Sequence, residues 1–187
     1  MLACRRCGMS RPQALSVNRI MMNHRPNGTI RRVTTRNLDR IDRLILKQLQ
    51  SDGRKPVTEL AQEVHLTVSP CWDRVRRLEE EGFIRGYVAL LNPDYLGVRL
   101  LAFVGVRVDR TIPQVFQQFR IGIEALEEVV ECHMVAGGFD YVLKVRVADM
   151  QTYSRFLSER LAALPGIAQT HTFVAMEEVK STLSFKF

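Results

Sequence analysis

The sequence predicts an α+β chain in which three short helices precede a module of four strands and two helices. Three observations carry that expectation. Apolar residues repeat at helical spacing from Leu38 to Leu78, whereas from Leu101 onward alternating and helical stretches follow one another in the order βαββαβ. Pro56, Pro70, Gly137-Gly138 and Pro165-Gly166 stand at the joints between them. With 187 residues, 46% hydrophobic and 25% charged, the chain has the composition of one medium or two small globular domains, which excludes collagen, wholesale disorder and a disulfide mini-protein.

The first helix has Ile41, Leu44, Ile45 and Leu49 on one stripe, with Asp39 and Asp42 near its start and Asp52-Gly53 at its end. After Pro56, the residues Val57, Leu60, Ala61 and Val64 make a short second helix that ends at His65-Leu66. Ser69 as an N-cap and Pro70 at the first helical position announce a third, with Cys71, Val75 and Leu78 inward. Two short helices joined by three or four residues form a helix-turn-helix candidate. Phe83 to Leu90 alternates like a strand, and Leu91 to Asp94 reads as a turn.

Leu101 to Val108 is strand-like, and Pro113 to Ile123 is helical with Val115, Phe116 and Phe119 together. A strand from Val129 to Val135, carrying Val130, Cys132 and Met134, meets the Gly137-Gly138 turn. Tyr141, Leu143, Val145 and Val147 alternate in the next strand. A helix from Met150 to Leu164 places Tyr153, Phe156, Leu157, Leu161 and Leu164 inward, and Pro165-Gly166 stops it before a last strand from Ile167 to about Met176. The fold class is thus an N-terminal winged helix-turn-helix followed by a ferredoxin-like βαββαβ domain. The domains run 37–90 and 99–180, joined by a linker over 91–98, with a disordered basic tail at 1–36 and a short tail at 181–187. One face of such a sheet is left uncovered by its helices, which favours dimerisation or ligand binding.

The net charge of +7 belongs to the N-terminus. Residues 1–36 hold eight arginines and no acid, a local charge of +8, so the remaining 151 residues carry −1. Any positive surface on the folded part must come from arrangement rather than excess. Met21 and Met22 offer alternative starts within that tail. Cys4 and Cys7 have half the spacing of a zinc site, but a structural zinc needs four ligands and no second pair follows. No metal or cofactor is expected. No run approaches the roughly 20 apolar residues that cross a bilayer, and Leu2-Ala3-Cys4 lacks an apolar stretch before it. A cytoplasmic chain with reduced thiols is expected, and Cys71 and Cys132 are expected as small buried hydrophobes.

Several segments resemble the Lrp/AsnC (feast/famine) transcriptional regulators. In the N-terminal half these are Leu38-Asp39-Arg40-Ile41-Asp42-Arg43-Leu44-Ile45-Leu46, Asp52-Gly53-Arg54, Glu59-Leu60-Ala61, Ser69 to Glu79, Gly82 to Tyr87 and Leu91-Asn92-Pro93. In the C-terminal half they are Val129 to His133, Gly137 to Val145 and Leu164-Pro165-Gly166-Ile167. The match runs from Leu38 to about Lys180. The resemblance implies a DNA-binding regulator that pairs through its sheet, assembles dimers into octamers and responds to amino acids or related metabolites. Two departures stand out. His65 occupies a turn that often holds glycine, and Ala136-Gly137-Gly138-Phe139-Asp140-Tyr141 replaces Thr-Gly-Asp-Tyr-Asp-Tyr, removing a hydroxyl and a carboxylate.

An α-helix fits the major groove, where base edges differ in donors and acceptors. The candidate DNA-binding residues are therefore Ser69, Pro70, Trp72, Asp73, Arg76 and Arg77: amides of the helix start toward phosphate, and arginines toward phosphate or guanine. Arg74, beside buried Val75, suits either DNA or an ion pair with Asp42 or Glu79. The candidate effector residues are Gly137, Gly138, Phe139, Asp140 and Tyr141, joined through the resemblance by Thr170 and Thr172. Loop amides would take a ligand carboxylate and Asp140 its ammonium group; the competing reading is a tight hairpin turn. No nucleophile with a base, glycine-rich phosphate loop or paired carboxylates is present, so no enzyme is expected. Competing readings are a non-specific architectural DNA binder and a metabolite-sensing βαββαβ protein without a regulatory role.

Overall fold

The computed structural model describes residues 37–109 and 114–187, and the chain divides between Ala89 and Leu90 into two compact units. The basic tail expected at 1–36, with Cys4 and Cys7, and the Pro113 start expected for the fourth helix lie outside the described residues.

In the first unit, helix α1 (Arg40–Ser51) begins where the Asp39 carboxylate accepts the Asp42 N–H at 2.7 Å, satisfying an amide that has no partner within the helix. Helix α2 (Val57–Glu63) follows Pro56, and helix α3 (Val68–Glu80) follows the turn. His65 in that turn has φ 56°, the left-handed backbone that few residues other than glycine enter without cost. Ile45, Leu60, Ala61, Val64, Cys71, Val75 and Leu78 are buried together and lock the three helices.

Two local expectations are corrected here. The N-cap of α3 is Thr67, not Ser69, so Ser69 and Pro70 are the second and third helical residues. Proline is tolerated there because first-turn N–H groups have no acceptor within the helix. Phe83 to Leu90 forms no strand. A strand needs a ladder partner, and residues 85–90 are exposed with no strand beside them among the described residues. The segment is held by Tyr87 instead. Its hydroxyl donates to Glu79 Oε1 at 2.9 Å, and its ring lies where a Cβ on Gly53 would come within 3.2 Å of it.

The second unit contains β1 (Leu100–Val108), α4 (Val115–Glu124), β2 (Val129–Met134), β3 (Tyr141–Val147), α5 (Met150–Arg155) and β4 (Ile167–Val174). The strands form one antiparallel sheet in the order β2-β3-β1-β4. Alternation puts Ala102, Val104, Val106 and Val108 of β1 with Tyr141, Leu143, Val145 and Val147 of β3 against the helices, where Phe119, Phe156 and Leu161 complete the core. The predicted helix at 150–164 changes character midway. α5 runs into a wider turn, Phe156–Leu161, in which the Ala162 N–H reaches back five residues to the Leu157 carbonyl. The wider register lets Phe156 and Leu161 both be buried.

The opposite face of the sheet carries Phe103, Gly105 and Arg107 of β1, which pair with Phe173, His171 and Gln169 of β4 and with Lys144 and Val142 of β3. Phe103 and Phe173 are exposed there. Cys132 departs from expectation: it pairs with Leu143 on edge strand β2 but is exposed as a residue. Its thiol is nonetheless desolvated, which pushes its pKa up to about 11 and keeps it protonated at neutral pH.

Candidate functional site

Burial of Cys71, Val75 and Leu78 turns the rest of α3 outward. Ser69, Pro70, Trp72, Asp73 and Arg76 are exposed, and Trp72 keeps 53% of its surface in solvent. An indole that free in a domain with a complete core is placed for contact rather than packing. Arg76 Nε lies 2.9 Å from Glu80 Oε1, but both side chains are exposed and the pair is one helical turn long. Such a pair is weak and gives little resistance to a stronger anion.

Arg77 lies apart from this group, on the flank of α3 beside α1. Its Nη2 stands 3.5 Å from Asp42 Oδ1, and its Nε is buried without a hydrogen-bond partner. Arg74 sits on the same flank, with Nη1 at 2.5 Å from Asp39 Oδ2 and 2.7 Å from Asp42 Oδ1. Of the acids within reach of α3, Arg74 pairs with Asp39 and Asp42 rather than with Glu79. The Asp42 N–H first, and then Arg74, hold the Asp39 carboxyl below the usual carboxylate range. Asp42 is only 1% exposed. Its position on α1 suggests a solvated helix-start acid; its burial depends on residues more than thirty positions away.

The effector candidates fall into two groups. The segment of Gly137, Gly138 and Phe139 lies toward the open face, where Arg107 Nη2 donates to the Gly138 carbonyl at 2.7 Å and Phe139 lies 6.0 Å from His171 between ring centres. Phe139 also explains Gly105, since a Cβ there would come within 2.7 Å of its ring. Gly137 and Gly138 themselves have negative φ and no atom within 4 Å of where a Cβ would stand. Neither a left-handed turn nor a close neighbour within the described chain requires glycine at either position. The space in front of them is open.

Tyr141, Thr170 and Thr172 lie on the helix side instead. Tyr141 is buried, with its ring centre 4.6 Å from that of Phe119 and its hydroxyl without a hydrogen-bond partner. Thr172 Oγ1 is 2.6 Å from the Tyr153 hydroxyl, and Thr170 lines a shallow groove of about 400 Å³ between the α5 side and β4. Asp140 does not face outward for an ammonium group. It is 5% exposed, and its Oδ2 accepts the Val108 N–H at 3.0 Å, where the β1 and β4 register slips. Arg107, Gly105 and His171 were missed as site residues, although the alternation of β1 already placed Gly105 and Arg107 on one face. Among the described residues, no group of three or more His, Cys, Asp or Glu could hold a metal, and no helix is long and apolar enough to cross a membrane.

Comparison with known proteins agrees with both halves. A winged helix-turn-helix DNA-binding model matches residues 38–85, and an Lrp/AsnC ligand binding domain model matches residues 101–185. The leucine-responsive regulatory protein of Escherichia coli (strain K12) is 54% identical over 147 residues, covering 79% of this chain and 90% of that protein. That of Klebsiella pneumoniae matches with the same identity and coverage. A solved transcriptional regulator from Neisseria meningitidis in complex with L-methionine superposes with a TM-score of 0.77 at 32% identity, over 80% of this chain and 96% of that one. A feast or famine regulatory protein from M. tuberculosis, complexed with L-methionine, superposes with a TM-score of 0.73 at 36% identity, over 79% and 98%.

Proposed function

Because this chain belongs to the Lrp/AsnC family of transcriptional regulators, we propose that α3 reads double-stranded DNA in the major groove and that the Gly137 to Phe139 loop takes an amino acid or related metabolite. The observation that carries the first half is the outward face of α3: Ser69, Trp72, Asp73 and Arg76 stand clear of a core that is already complete. Arg76 suits a guanine edge, and Asp73 suits an exposed base amino group such as that of cytosine, which donates to an anion. Ser69 and Pro70 bring the helix start toward the backbone, and Arg77 on the flank suits a phosphate.

These roles separate in measurement. Arg76→Ala is expected to cost about 1 to 3 kcal/mol on an operator and to relax sequence preference. Arg77→Ala is expected to reduce the salt slope by about one ion and to weaken binding most on the operator, where the docked register supplies its phosphate, without changing which bases are preferred. Wild-type behaviour of both variants, on a duplex enriched by the wild type from a random-sequence library, would remove α3 from the interface.

The open space before Gly137 and Gly138 supports the effector reading. Their amides and Arg107 offer a carboxylate the donors it needs, and two solved relatives are complexed with L-methionine. Asp140, Tyr141, Thr170 and Thr172 then support the loop and sheet from inside. The protein works as a homodimer formed through the open sheet face, further assembled to octamers, in the cytoplasm on nucleoid DNA; the exposed Phe103 and Phe173 support the pairing. No catalytic step is assigned to it.

Non-specific binding has its own carrier in the eight arginines of residues 1–36. Removing that tail is expected to lower affinity for random DNA and flatten its salt dependence while leaving the preferred site unchanged. A footprint altered by the deletion would mean that the tail reads sequence, as an arm in the minor groove does.

A further inference from the structure

We infer that Asp42, on α1 and remote from the outward face of α3, is a positioning residue for DNA recognition through its hold on Arg77. This rests on α3 as the DNA-reading helix. Asp42 is one of only two polar or charged side chains buried among the described residues. A buried ion pair is a poor source of stability compared with apolar packing, and its best attested use is to fix geometry.

The charges explain why two arginines are drawn to one place. Asp39 and Asp42 together carry two negative charges, and Arg74, which touches both, supplies one positive charge. Arg77 adds positive charge at the same place, and Asp42 Oδ1 is the atom that both arginines share. Arg77 meets Asp42 only at 3.5 Å while its Nε is buried without an acceptor, and its side chain remains 38% exposed. Packing alone would not draw a guanidinium into a place where one of its donors goes unmet. The Asp42 carboxylate holds it there, with part of the group still open to solvent.

A cation fixed at the rim between α1 and α3 meets a phosphate at one register of the helix on the duplex. A cation on a free side chain meets phosphates at many registers. Asp42 thereby converts a general attraction into a contact that depends on docking geometry, which is how backbone contacts set register without reading bases.

The test compares Asp42→Asn with Asp39→Asn in the full chain. Both remove one negative charge, and asparagine still serves as an N-cap at position 39. Binding is measured on the library-enriched duplex and on a scrambled duplex of equal length at several salt concentrations. Asp42→Asn is expected to lower the ratio of specific to random affinity roughly tenfold, within the coupling expected of contacting residues. Asp39→Asn is expected to leave that ratio near wild type. In an Arg77→Ala background, Asp42→Asn is expected to change the ratio no further. A merely structural Asp42 would lower the melting temperature and the active fraction but leave the ratio of the folded protein unchanged, and that result overturns the inference, as does an equal effect of Asp39→Asn. If circular dichroism shows Asp42→Asn unfolded, Arg77→Lys decides: it keeps the charge without the planar fork, so the ratio should fall while the salt slope stays. An unchanged ratio in that variant overturns the positioning role. A wild type with no preference between the two duplexes overturns the reading of α3 itself and the inference with it.

Discussion

A protein ending after Pro93 is expected to be monomeric and to lose about two to four orders of magnitude in operator affinity while keeping its helical fold. The fold should survive because the buried cluster of the first unit draws every member from residues 45–78. The affinity should fall because a single α3 of 13 residues, about 20 Å long, reads only one half-site. A paired protein engages two half-sites a helical turn apart, and the second contact is made at high effective concentration. Circular dichroism on the fragment checks the helices, light scattering its mass, and titration with the enriched duplex its affinity. A dimeric fragment would move the pairing surface off the open sheet face. A monomer with full-length affinity would mean that DNA is read by one subunit at a time.

Element order was legible because each half has its own period. Val57, Leu60, Ala61 and Val64 cannot share a face except on a helix, and Tyr141, Leu143, Val145 and Val147 cannot except on a strand. What stayed hidden depends on partners rather than on period. Phe83 to Leu90 alternates as well as any strand here, yet alternation says nothing about whether a ladder neighbour exists, and Tyr87 settles the segment through its hydroxyl instead. The wider turn at Phe156–Leu161 was hidden for a related reason, since one extra residue per turn leaves a valid apolar stripe in either register.

The site was legible to the same depth. The outward face of α3 follows from knowing which three residues go inward, so the exposure of Trp72, Asp73 and Arg76 was legible from spacing. Arg77 lies a little further round, and its approach to α1 depends on Asp42, 35 positions earlier. Buried acids are the hardest case. Asp42 and Asp140 each look like surface residues in sequence, one at a helix start and one at a loop end, and each is buried by distant atoms.

Asp140 carries the second large effect. Asp140→Ala is expected to destabilise the second unit by about 2 to 4 kcal/mol, which for a domain of this size lowers the melting temperature by roughly 10 to 20 °C. The argument begins in the sheet. Between Arg107 and Val108 the pairing of β1 with β4 slips, and the Val108 N–H, on a residue 2% exposed, finds its acceptor in Asp140 Oδ2 at 3.0 Å. The Asp140 N–H in turn donates to the Val106 carbonyl at 2.9 Å, and its carbonyl accepts the Val135 N–H at 3.0 Å. One residue thus ties the end of β1 to both sides of the Gly137 loop. Removing its carboxylate leaves a buried amide without a partner and frees the loop that Arg107 holds from outside. Asp140→Asn separates this from an ammonium-binding role. Asparagine still offers an oxygen to the Val108 N–H but no charge to a ligand, so it should recover most of the lost stability and keep the response to an amino-acid panel in thermal-shift and calorimetric measurements. If Asp140→Asn is as stable as wild type but deaf to an amino acid that shifts the wild type, the carboxylate meets the ligand directly, and the inward geometry changes when the ligand binds.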